Sequence, residues 1–143
     1  MAAASAAVLG LIGVAISWDR IGGDASPLMP LERPPVLVTI VVVAALAAAN
    51  AGAEEALWRV ALLSEQSADP APNMWLAQAM SFGIAHWAGL PYGPAGVLAS
   101  GTLSLVLMLA RARYGFLRVL IIHGVVDVVI FAAVFMFAIY PPS

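Results

Sequence analysis

The sequence predicts an all-α fold, a polytopic transmembrane bundle of about five helices. Three observations carry that reading. Hydrophobic residues make up 63% of the 143 residues and charged residues only 10%, with a mean hydropathy of +0.99. A soluble domain of this size would carry about 25% charge. The apolar residues fall in continuous runs suited to a bilayer core of about 30 Å, not in the short alternating segments of a β-barrel. Those runs are separated by stretches rich in proline, glycine and charge, which read as turns. At this length the chain is one domain at most. The net charge of −2 gives no attraction for nucleic acid, and the lack of cysteine excludes disulfides, thiol nucleophiles and thiolate metal sites.

Residues Ala2 to Trp18 form an Ala-rich apolar run with no Lys or Arg ahead of it, so it reads as a helix and not a signal peptide. Asp19 to Pro35 gathers charges, prolines and Gly22-Gly23 and reads as a loop. Residues 1–34 are thus an N-terminal apolar helix with a Pro-rich loop, and 35–143 are the core. Pro34-Pro35 suits the first turn of a second helix reaching about Ser64. At 1.5 Å per residue that helix is about 44 Å long, so it must tilt or protrude. Asn73 suits an N-cap for a third helix, Met74 to about Ala88. Gly89 to Pro94 has the composition of a tight turn. A fourth helix follows, Ala95 to about Ala110, with Gly96, Ser100, Gly101 and Ser104 for close packing. Arg111, Arg113 and Arg118 surround the next turn, and a fifth helix runs from Phe116 to Tyr140.

The chemistry sits in Glu54-Glu55-Ala56-Leu57-Trp58-Arg59, which closes an apolar run containing no other charge. Ionisable groups in a membrane span are expensive and usually mark a site. Glu55 and Arg59 are four apart, acid first, so they share a face and form an internal brace. Glu54 is turned about 100° away and is left free for other work. His86, on an apolar helix one turn after Phe82, and His123 with Asp127, four apart on the last helix, are the other candidates. Taken singly, each has a structural reading, an imidazole bonded to a carbonyl or an intrahelical imidazole–carboxylate pair. Their depths decide otherwise. Below the side carrying the Glu65–Asn73 loop, Glu54 lies at about 14 Å, His86 at about 18 Å, His123 at about 9 Å and Asp127 at about 15 Å. Three helices therefore place their buried polar groups in one layer. Trp58, Trp75 and Trp87 read as interface-belt residues.

Glu54-Glu55-x-x-x-Arg59, Phe82-x-x-x-His86 and His123-x-x-x-Asp127 together resemble the three-motif signature of the CAAX-protease and bacteriocin-processing (CPBP, or Abi) family of intramembrane proteases. The resemblance covers about Val36 to Phe135. It implies glutamate-dependent peptide hydrolysis without a cofactor. By motif, Glu54 would be the general base for a water shared with His86. His123 and Asp127 would stabilise the oxyanion, and Glu55 and Arg59, with Phe82, would support the site. The last motif commonly ends in Asn. Asp127 could donate a hydrogen bond only if protonated, or it could orient His123 instead. The implied partners are membrane lipid and a peptide or protein substrate, which can be lipid-modified.

Three other readings use the same residues. A zinc site would take Glu54, His86 and His123 as ligands with water as the fourth, but no His-Glu-x-x-His is present. A non-catalytic immunity or scaffolding protein would keep the residues and not need Glu54. A transporter fits less well, since five helices without a repeat leave little room for alternating access. The side holding Arg111, Arg113 and Arg118 outweighs the one holding Arg20 and Arg33, so it is expected to be cytoplasmic, with the site opening there. The Lys-free, Ala-rich composition suggests a bacterial cytoplasmic membrane.

Overall fold

A computed structural model describes residues 8, 10–15, 34–61 and 72–139. These residues are helical apart from turns, with no strand among them. Helix α1 spans Val36–Glu55 and continues as a π-helical segment, Ala56–Ala61. Helix α2 is Pro72–Ala85, α3 is Gly93–Tyr114 and α4 is Phe116–Ile139. Three of them are long and apolar enough to cross a membrane: Val36–Ala61, Gly93–Tyr114 and Phe116–Met136. Helix α2, with 14 residues, reaches only about 21 Å and is too short to span.

The helices pack as two pairs, α1 on α4 and α2 on α3, joined by a contact of α3 with α4. Residues 10–15 are helical and lie against α4, where a side chain at Gly10 would come within 2.7 Å of Val129 Cβ. The α2–α3 crossing is tighter still, because any Cβ at Gly83 would collide with the carbonyl oxygen of Val97. The molecule is apolar outside and polar within. Val36, Leu37, Leu98 and Leu117 are about 70% exposed, whereas Glu55, Arg59, Ser104 and His123 are 2% exposed or less. In water this would be unstable; in lipid it keeps Glu55, Arg59 and His123 away from the hydrocarbon.

Several boundaries differ from the sequence reading. The second helix does not stay α-helical to its end, since Ala56–Ala61 is π-wound. The wider turn is held by Arg111, whose guanidinium donates to the carbonyl oxygen of Arg59. The third helix begins at Pro72 and ends at Ala85, so His86 stands in the turn beyond it, not on the helix. The fourth helix runs on through Arg111 and Arg113 to Tyr114. Arginines are favourable at a helix C-terminus, so the charges did not require a loop there. Gly115, with φ of 81°, supplies the break, because only glycine adopts that conformation without strain. Most of the Ala2–Trp18 run, the loop from Asp19 to Arg33, the second-helix residues beyond Ala61, the Glu65–Ala71 loop and Tyr140 lie outside the described residues.

Candidate active site

Five elements deliver the site. Helix α1 supplies Asn50, Glu54 and Glu55, and its π-wound turn supplies Arg59. Helix α2 supplies Gln78 and Phe82, with His86 in the turn that follows. Helix α3 contributes Ser104, and α4 contributes His123 and Asp127.

The adjacent glutamates have separate environments. Glu55 is fully buried, with Oε1 3.1 Å from Arg59 Nη1 and 2.7 Å from His123 Nδ1. Arg59, also fully buried, donates from Nη2 to Ser104 Oγ at 3.2 Å, and Ser104 donates to Gln78 Oε1 at 3.0 Å. The guanidinium carbon also stands 4.9 Å from the centre of the Phe82 ring. Two buried ions would each lose several kcal/mol of hydration, so this chain of partners is what keeps them in place. The imidazole of His123 is thereby fixed from behind, its Nδ1–H donating to Glu55.

Glu54 faces the opposite way, into a space bounded by both imidazoles. Its Oε2 is 3.3 Å from His123 Nε2, and its Oε1 is 3.7 Å from His86 Nε2. Its side chain keeps 20% of its exposure, as His86 keeps 17%. His86 Nδ1–H donates to the Phe82 carbonyl oxygen at 2.8 Å, which leaves Nε2 turned to Glu54. The Phe82 ring lies 4.6 Å from that of His86 and edge-on to Trp58, centroid to centroid 5.6 Å. Trp58 is thus half-buried, its ring against the site's aromatic wall.

Asp127 meets a partner that the sequence reasoning did not name. Its Oδ1 is 3.7 Å from His123 Nε2, outside hydrogen-bond range, and Glu55 is the group that orients His123. Asp127 Oδ2 instead accepts a hydrogen bond from Asn50 Nδ2 at 3.1 Å. Asn50, Gln78, Ser104 and Arg111 were missed by the sequence reasoning. Asn50 carried a signal, an amide in an Ala/Val run four residues before Glu54. Gln78 carried one too, four residues before Phe82. Ser104 read only as a small packing residue and Arg111 only as a topology signal. Among the described residues, no group of three His, Asp or Glu side chains is arranged to hold a metal ion. Both imidazoles spend Nδ1 on protein acceptors and turn Nε2 to the same carboxylate.

A sequence model of Rce1-like type II CAAX prenyl endopeptidases matches residues 34–129, a stretch that contains every site residue from Asn50 to Asp127. The chain belongs to this family. No curated protein and no solved structure matches it. Membership in the CAAX prenyl endopeptidases implies a membrane-embedded protease with a peptide substrate, which suits ionisable groups enclosed by lipid-facing helices. The family match begins just before α1, so residues 10–15 pack on the CAAX protease core from outside it.

Proposed function

We propose that the chain is an intramembrane endopeptidase that uses Glu54 as general base to hydrolyse a peptide bond of a membrane-associated or lipid-modified peptide. The observation that carries this is the Glu54 carboxylate standing between His86 Nε2 and His123 Nε2, at 3.7 Å and 3.3 Å, in a partly open space. In this reading a water donates one proton towards Glu54 while His86 Nε2 holds its second hydrogen. Glu54 removes the proton as the water oxygen attacks the scissile carbonyl carbon. The negative charge that forms on the carbonyl oxygen is met by His123 as an imidazolium, which carries a hydrogen on Nε2 as well as the one on Nδ1 that Glu55 holds. Protonated Glu54 then gives its proton to the leaving nitrogen as the C–N bond breaks, releasing a carboxylic acid and an amine.

A groove of about 300 Å³ between α1 and α4 supports the lipid-modified substrate. It is open to the outside and lined by Ala44, Ala47, Ala48, Leu120 and Val128. Its lining includes Ala51 and Gly124, the latter next in sequence to His123. An acyl or isoprenoid chain in that groove would bring an attached peptide to Glu54. The expected location is the cytoplasmic membrane of a bacterium, with the site opening to the cytoplasm.

The test uses purified protein in liposomes with a fluorogenic peptide in prenylated and unprenylated forms. Glu54→Gln keeps the shape and removes the base, so cleavage should fall by about 10²- to 10⁴-fold. The prenylated peptide should have the lower KM. Full activity in Glu54→Gln would sink the general-base reading. Equal KM for the two peptides would remove the lipid from the substrate.

A further inference from the structure

Asn50 is half-buried in a run of alanines and valines, where an amide without partners is unfavourable by several kcal/mol. It lies one turn before Glu54, on the same face of α1. Its Nδ2 crosses to α4 and donates to Asp127 Oδ2 at 3.1 Å. Four residues apart on one helix face, the amide and the Glu54 carboxylate are side-chain neighbours. Glu54 and Asp127 are brought near one another by a shared neighbour, His123 Nε2, 3.3 Å from the first and 3.7 Å from the second. Two carboxylates around one nitrogen repel each other unless further donors stand between them. An asparagine amide supplies two N–H donors that need no proton from solvent. A carboxylate only accepts when ionised, so Asp127 also decides which end of the amide points at the site.

We propose that Asn50 is a positioning residue for this reaction, its amide anchored by Asp127 so that Glu54 is held towards His86 and His123. Asp127 then acts through Asn50, not through His123. The inference rests on Glu54 being the base. Asn50 acts on the reaction through Glu54. Its loss lets the Glu54 side chain leave the direction of the water, which reads out in kcat more than in KM.

The experiment is a reciprocal exchange across the two helices, assayed on the same liposome-embedded protein and peptide. Asn50→Ala should lower kcat by about 10- to 100-fold with KM within about twofold. Asn50→Asp should do worse, because it adds a third carboxylate to the cluster. The double variant Asn50→Asp/Asp127→Asn restores one amide and one carboxylate with the bond reversed, and should recover at least about tenfold over Asn50→Asp. A merely structural role predicts lower folded yield without that recovery of kcat per folded molecule. The proposal is overturned if Asn50→Ala matches wild type, or if the exchange is no better than Asn50→Asp, while Glu54→Gln is inactive. An active Glu54→Gln overturns this proposal together with the function it rests on.

Discussion

Arg59 offers the most direct test of what holds the site together. Its guanidinium is fully buried, 3.1 Å from Glu55 Oε1, bonded to Ser104 and stacked on Phe82. Arg59→Ala removes the cation and leaves a fully buried carboxylate behind. Breaking a buried ion pair from one side typically costs about 3–5 kcal/mol. His123 remains as a partner of Glu55 at 2.7 Å, so the lower end applies, about 3 kcal/mol. That is roughly a hundredfold change in the folding equilibrium, against a total stability of about 5–15 kcal/mol. Glu54→Gln, at a partly exposed side chain, should change stability by under about 1 kcal/mol. Arg59→Met with Glu55→Gln removes both charges and should be milder than Arg59→Ala alone, since no buried ion is left unpaired. Folded yield and thermal midpoint in detergent, followed by the summed fluorescence of the four tryptophans, would report all three. Equal yields for wild type and Arg59→Ala, or a double variant as unstable as the single one, would refute the reasoning.

Ser104→Ala removes the acceptor for Arg59 Nη2 and the donor to Gln78 Oε1, and should cost about 1–3 kcal/mol with little change in KM; thermal unfolding beside a KM measurement checks both. Chelators should leave peptide cleavage unchanged, since no three site side chains are set to hold a metal; loss of activity restored by zinc would favour a metalloprotease instead. Arg111 and Arg113 end α3 and Arg118 opens α4, so that end should be cytoplasmic. A reporter fused after Ser143 should then be active only outside the cytoplasm, and cytoplasmic activity would reverse the orientation.

The helical class and the polar layer were legible because a bilayer leaves so few alternatives. A charge in an apolar run must have a partner, and a count at 1.5 Å per residue shows which partners share its depth. The Glu55–Arg59 pair was readable from spacing alone, because helix geometry fixes which residues four apart can meet. What could not be read was rotation about each helix axis. Depth put Asp127 in one layer with Glu54, His86 and His123 but could not say that it bonds to Asn50 across α1 and α4. The π-wound turn was equally hidden, since its support comes from Arg111, 52 residues away along the chain. The turn holding His86 was misread as helix because Ala85, His86, Trp87 and Ala88 carry no helix-breaking residue before Gly89.

The two neighbouring glutamates show how the fold separates structure from chemistry. Glu55 is fully buried and tied to a guanidinium and an imidazole, so it is fixed, and it cannot reach a substrate. Glu54, one residue earlier, keeps 20% exposure and faces two Nε2 atoms in a partly open space. The same carboxylate chemistry serves opposite ends because about 100° of helix rotation lies between them. That division depends on register, and polar partners hold α1 on both sides of the glutamates: the Asn50–Asp127 bond on one side, and Arg59 with Ser104 on the other. A rotation of α1 by one residue would turn Glu55 to the open space and swing Glu54 on to the exposed face where Ala53 now stands. The buried polar chain therefore does more than neutralise its own charges. It selects which of two identical side chains is free to act.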